Sequence, residues 1–223
     1  MSGSIQKYQN LLSVFCDKAE KYGDAPYLWS KNNRHYQCLS WNDTYLQVKK
    51  LAKYLKKIGV ESDSKVMLVS ENRPEWQISD LAIMAADGIS VPAYTTITSQ
   101  DYEYLISHSE TKVIIVSSEL LYSKVELALK KLKIKRDVII IDDFGPKKNN
   151  LITIHKWDEI HSKPADNDID HISYQAKRKN RKDIACIIYT SGTSGFPKGV
   201  MLSHGSILHN CDCLLYTSPS PRD

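Results

Sequence analysis

The stretch Asp183-Ile184-Ala185-Cys186-Ile187-Ile188-Tyr189-Thr190-Ser191-Gly192-Thr193-Ser194-Gly195-Phe196-Pro197-Lys198-Gly199 decides how this chain is read. Residues 183–189 form an apolar string of strand length. The next ten residues hold three glycines, four hydroxyl side chains and one lysine. Glycines let backbone N–H groups turn towards an anion with no Cβ in the way. Hydroxyls add donors, and lysine adds a mobile point charge. A buried strand that empties into such a loop has the composition of a phosphate cradle. The spacing departs from two common glycine-rich fingerprints. A P-loop needs four residues between its first glycine and a Gly-Lys pair, whereas here Pro197 stands at that place and Gly199 comes after Lys198. Gly192 and Gly195 also miss the Gly-x-Gly-x-x-Gly spacing of dinucleotide sites. The plainer alternative is a Gly/Ser turn between two strands, since 200–202 read as a second short strand. Ser203 then caps a helix beginning around His204.

Upstream, strands and helices alternate. Residues 66–70, 89–93, 112–117 and 137–142 read as short buried strands. Between them lie helices: one opening at Pro74, where a missing N–H costs nothing, one capped by Ser99 and running to about His108, and one over 118–131. Four alternations with short connections predict an open α/β layer with a mainly parallel sheet and flanking helices. The apolar strands read as covered on both faces.

The first sixty residues differ. Ile5, Tyr8, Leu11, Leu12, Phe15, Ala19 and Tyr22 recur at helical spacing and predict one amphipathic helix. Residues 26–30 and 35–39 are aromatic-rich strand candidates around a polar turn. Ser40 with Asp43 resembles a capping box, opening a helix that Gly59 closes. Further on, Ile154, Trp157 and Ile160 suggest a short helix. Residues 163–182 are polar and include the basic run 177–182. We read that run as a solvated connector, the alternative being a phosphate or acidic-lipid contact.

Composition agrees with an ordinary globular chain of one to two domains. The chain has 223 residues, 42% hydrophobic and 25% charged, with a net charge of +4. That small excess gives no argument for nucleic acid. Its apolar runs are far shorter than the ~20 residues of a membrane span, and the N-terminus lacks the pattern of a secretory signal. Five widely spaced cysteines make a poor disulfide framework and no zinc spacing, so free thiols are expected.

The run 189–199 resembles the phosphate-binding signature of the adenylate-forming (AMP-binding) enzymes, with Ser194 where that family usually has Thr. The segment Met201-Leu202-Ser203-His204 resembles the stretch that comes directly after the signature in that family. Three further stretches, 70–76, 80–86 and 91–94, resemble the long-chain fatty-acid–CoA ligase branch. In that family a carboxylate attacks the α-phosphate of ATP, and CoA then displaces AMP. The resemblance therefore implies ATP and Mg²⁺, with CoA as co-substrate. It implies that Thr190, Ser191, Gly192, Thr193, Ser194, Gly195 and Lys198 contact the ATP phosphates. It leaves His204 between a substrate-side role and a helix-start role. Small-molecule partners and a cytoplasmic location are implied, with peripheral membrane association left open.

The resemblance also implies pieces that these 223 residues do not contain. These are an adenine-binding segment, acidic metal and ribose ligands, and a C-terminal domain with the activating lysine. The expectation is a truncated N-terminal part of an adenylate-forming large domain over 1–210, with no catalytic residue of its own, inactive by itself. Residues 211–223 are expected to be a non-native or disordered tail. From 213 the string looks like translated adapter sequence. An acid other than a fatty acid, or a nucleotide-binding module without turnover, are the alternatives. Trp41, Trp76, His35, His108 and His155 are expected to serve packing or surface roles. Glu71 and Asp80 form a carboxylate pair only if the fold unites them, and Arg73 suits either a nearby carboxylate or a substrate.

Overall fold

The computed structural model describes residues 5–32, 35–147, 149–164, 170–191 and 197–217. Its helices are α1 (Leu11–Tyr22), α2 (Trp41–Lys57), α3 (Pro74–Ala85), α4 (Ser99–His108), α5 (Glu119–Leu132), α6 (Trp157–His161), α7 (His171–Arg178) and α8 (His204–Thr217). Its strands are β1 (Pro26–Asn32), β2 (His35–Ser40), β3 (Lys65–Val69), β4 (Ile89–Pro92), β5 (Val113–Val116), β6 (Arg136–Ile140), β7 (Ile152–Lys156), β8 (Ile184–Thr190) and β9 (Lys198–Ser203).

Strands β1 and β2 form an antiparallel hairpin. The other seven form one sheet in the order β7-β6-β5-β3-β4-β8-β9. Every pairing in it is parallel except the β8–β9 hairpin. The period of two along a strand explains how this sheet is held. On β3, Val66 and Leu68 face a core built with α1, α2 and α3, while Met67 and Val69 face a second core built with α4 and α5. All four are fully buried, so the strand reads as a continuous apolar run.

Local sequence fixes most element ends. Ser40 and Asp43 exchange hydrogen bonds as a capping box at α2, and Pro74 occupies the first turn of α3. At α4 the cap is Thr98, not Ser99, and it pairs reciprocally with Asp101. Ser203 receives the Ser206 N–H at the start of α8, which runs unbroken past position 210 to Thr217.

Three further expectations are corrected. The first amphipathic segment is broken: Ile5–Lys7 is a 3₁₀ turn, and α1 starts only after Asn10. Asn10 is fully buried, caps Ser13, and donates through its side-chain amide to the carbonyls of Ala176 and Lys179. Those tertiary bonds override the helical spacing. Ile154 belongs to strand β7, parallel to β6, rather than to the helix that begins at Trp157. The polar connector contains α7, and its basic run is not merely solvated. Arg178 and Lys179 pair with the buried Asp87, and Arg181 donates to the Tyr8 carbonyl.

Candidate functional site

Strand β8 leaves the sheet at Thr190, and β9 returns at Lys198. The two residues are register partners, as are Tyr189 and Gly199. Thr190, Ser191 and Lys198 are all exposed. This places two hydroxyls and an ammonium group at the carboxyl end of β8, on the two stems of one hairpin. Gly199 sits where a side chain would crowd its neighbours. A Cβ there would lie 3.0 Å from the Ile187 side chain and 3.4 Å from the Tyr189 ring. Gly192, Thr193, Ser194 and Gly195, named from the sequence, lie outside the described residues.

The same end of the sheet carries a cavity of about 610 Å³, lined among others by Ser70, Glu71, Asn72, Tyr94, Thr95 and Ile188. That volume suits a small molecule. Its position stems from topology. Chain order runs from β3 to β4 on one side and then crosses to β5 on the other side of β3. Such a reversal opens a crevice beyond the carboxyl ends of the strands, where ligands bind in open α/β sheets. Across that reversal the Ser117 hydroxyl donates to the Glu71 carboxylate, tying the end of β5 to the end of β3.

The far wall is pinned from behind. Tyr102, fully buried in α4, donates its hydroxyl to the Tyr94 carbonyl at 2.7 Å. Lys124 donates to the carbonyls of Thr95 and Ile97. Burial pushes the Tyr102 hydroxyl above its ordinary range, so it stays a donor. Arg73 is committed to carboxylates: it donates to Glu75 at 2.7 Å and to Asp142 at 2.9 Å. Glu71 and Asp80 do not form a pair. Asp80 lines a separate cavity of about 180 Å³ with residues of α1 and α8, where burial pushes its carboxyl up to about 6.

His204 lies elsewhere. Ser203, just before it, pairs with Ile184 at the opposite end of β8 from Thr190. At ~3.3 Å per strand residue that is roughly 20 Å from the loop stems. The ring is 1% exposed, and Nδ1 accepts the Leu11 N–H. Burial, aided by the Lys179 charge, lowers its pKa to about 4. A neutral, buried acceptor at a helix start is what these contacts describe.

All five cysteines are free thiols, and burial pushes Cys186 up to about 11, which keeps it protonated. Among the described residues no three His, Cys, Asp or Glu side chains gather as a metal site. Thr190 and Ser191 offer hydroxyl oxygens and Glu71 lines the adjoining crevice with a carboxylate, oxygen donors of the kind Mg²⁺ takes, though among the described residues they do not make a complete ligand set.

Comparison with known proteins agrees with this architecture. The AMP-binding enzyme family profile matches residues 15–222. The long-chain-fatty-acid–CoA ligase ACSBG2 of Homo sapiens is 32% identical over 200 residues, which is 86% of this chain and 29% of that protein. The long-chain-fatty-acid–CoA ligase ACSBG1 of Rattus norvegicus is 30% identical over 195 residues, 87% of this chain and 27% of that one. The chain thus spans less than a third of the length of these relatives. Among solved structures, the luciferase-like enzyme of the mealworm Zophobas morio superposes with a TM-score of 0.78 at 19% identity, covering 100% of this chain and 49% of that one. The acetoacetyl-CoA synthetase of Streptomyces lividans gives 0.77 at 20%, covering 92% and 32%. With the glycine- and hydroxyl-rich hairpin at the carboxyl edge of a doubly covered parallel sheet, the profile match over nearly the whole chain establishes that it belongs to the AMP-binding enzyme family.

Proposed function

We propose that this chain supplies the ATP-phosphate-binding part of an acid–thiol ligase that activates a long-chain fatty acid. The carboxylate attacks the α-phosphorus of ATP. A carboxylate–phosphorus bond forms, the bond to pyrophosphate breaks, and acyl-AMP results. The CoA thiol then attacks the acyl carbon, expelling AMP and losing its proton. The observation that supports this reading is the pairing of Thr190 with Lys198 beside the crevice. It sets hydroxyl and ammonium donors where charge on departing pyrophosphate could be met without reorganisation. Thr190, Ser191, Gly192, Thr193, Ser194, Gly195 and Lys198 are the proposed phosphate contacts. The fatty-acid assignment rests on the ligase relatives. ATP, Mg²⁺ and CoA are the co-substrates and metal of this proposal. Its partners are small molecules, and its proposed site of action is cytoplasmic or at a membrane surface. Among the described residues no helix is long and apolar enough to cross a membrane.

The test is pyrophosphate–ATP exchange catalysed by the full-length protein. Exchange that requires palmitate, and that benzoate or acetate does not support, is the expected result. Exchange with no acid present, or only with short or aromatic acids, would overturn the fatty-acid assignment.

A further inference from the structure

Helix α4 carries two side chains, Tyr104 and His108, one helical turn apart on the same face. Both reach the hairpin that bears the candidate phosphate contacts. The Tyr104 hydroxyl donates to the Pro197 carbonyl at 3.0 Å. That carbonyl belongs to the peptide plane that ends at the nitrogen of Lys198, so this bond sets the direction from which the lysine stem departs. The His108 Nδ1 lies 2.7 Å from the Tyr189 hydroxyl, on the stem that enters the loop. The two α4 rings stack on each other with centroids 5.2 Å apart, and both meet the Tyr189 ring edge-on. One rigid face of one helix thus grips the chain on both sides of the loop, one residue before Thr190 and one before Lys198.

The grip is built as a support. Tyr102, Leu105 and Ile106 bury the neighbouring face of α4 in the sheet core. Thr98 and Asp101 cap its start. Tyr189 is buried, and its hydroxyl is pushed above the ordinary tyrosine range by desolvation, so it remains protonated and hydrogen-bonding at neutral pH. Lys198 itself is exposed at the first position of β9. A flexible ammonium group contributes most to a developing charge when its backbone is already aimed.

We infer that Tyr104 and His108 are positioning residues for adenylate formation: they fix the stems of the hairpin so that Lys198 meets the departing pyrophosphate. This inference rests on the phosphate-binding role proposed above. Neither residue touches a substrate, and each acts through the hairpin.

The experiment uses the full-length protein and measures the two half-reactions separately: pyrophosphate–ATP exchange, and CoA thiolysis of preformed palmitoyl-AMP. The variants are Tyr104→Phe, Lys198→Ala and the double variant. Tyr104→Phe keeps the ring and removes one donor. It should slow exchange about tenfold, the scale of a misaimed catalytic group, with little change in KM for palmitate and none in thiolysis. In the Lys198→Ala background the same substitution should cost under about twofold, because its effect passes through the lysine. Tyr189→Phe, which removes the hydroxyl facing His108, should slow exchange in the same direction. Equal loss in both half-reactions, or costs of Tyr104→Phe and Lys198→Ala that simply multiply, would mean that Tyr104 only holds the fold together, and would overturn the inference. Slow exchange in Lys198→Ala with wild-type exchange in Tyr104→Phe would overturn the inference alone. Wild-type exchange in Lys198→Ala would overturn the phosphate role on which it rests.

Discussion

Asn10 and Lys179 are joined by a 2.7 Å hydrogen bond between a buried side-chain amide and a backbone carbonyl, 169 residues apart in sequence. The same amide donates to Ala176, and the side-chain oxygen of Asn10 caps α1. One residue therefore starts α1 and docks α7, the helix that leads into β8.

Asn10→Ala should destabilise the fold by about 1–3 kcal/mol, from the lost cap and two half-buried carbonyls that lose their donor. Asn10→Ser retains a capping oxygen and loses only the amide donors, so it should fall between the two. Denaturant unfolding measures both. Equal stability of Asn10→Ala and wild type would show that α7 is docked by other contacts.

Gly205 offers a sharper steric test. A Cβ there would lie 2.8 Å from the Arg181 carbonyl oxygen, which already accepts the Gly205 N–H. The obstructing atom is backbone, so the strand-to-helix corner must open. Gly205→Ala should cost about 1–3 kcal/mol, the usual range for overpacking, read from the shift in denaturation midpoint. An unchanged midpoint would show that the corner is loose.

His204 and Asp80 should give opposite pH dependences. The His204 pKa is lowered to about 4 in the fold, against ~6.5 unfolded. The unfolded chain binds the proton more readily, so this contribution is fully present above pH ~6.5 and is lost as pH falls towards 4. Asp80 is raised to about 6, so its contribution is fully present below its unfolded value of ~3.9 and is lost as pH rises through 6. Between pH 4 and 6 the two oppose each other. His161, whose pKa burial also lowers, adds to the rise with pH, so His204→Gln should gain less stability than wild type as pH rises through that window. Chemical denaturation across that window suffices to see it. A His204→Gln profile parallel to wild type would contradict a neutral, buried His204.

The parallel sheet was legible because strands such as 113–116 and 137–140 are short β-branched runs set between caps and breakers, and such runs become strands buried on both faces. The loop stems were legible from composition alone. Strand β7 was not, because Ile154 lies three residues before Trp157 and mimics helical spacing. Its strand state comes from pairing with β6 and from His155, which lies within hydrogen-bonding distance of both Tyr54 and Asp137. Helix α7 was hidden for a similar reason. It buries Ile172 and Gln175, and its basic end is held by Asp87 and Asn10, partners far away in sequence. Tyr104 and His108 carry no local signal of their link to the hairpin, since 93 residues separate Tyr104 from Pro197.

Lys198→Ala in the full-length protein, with the two half-reactions assayed apart, tests whether the β8–β9 hairpin meets charge on departing pyrophosphate, as proposed. A contact that strengthens as charge gathers on the leaving group matters more in the transition state than in the ground state. Adenylate formation should slow by about ten- to a thousand-fold, the scale of losing one charge-stabilising donor, with a smaller loss of ATP binding. Thiolysis of preformed palmitoyl-AMP should proceed at the wild-type rate, because pyrophosphate has already left. Equal loss in both half-reactions, or no loss in either, would show that Lys198 does not act on the departing pyrophosphate.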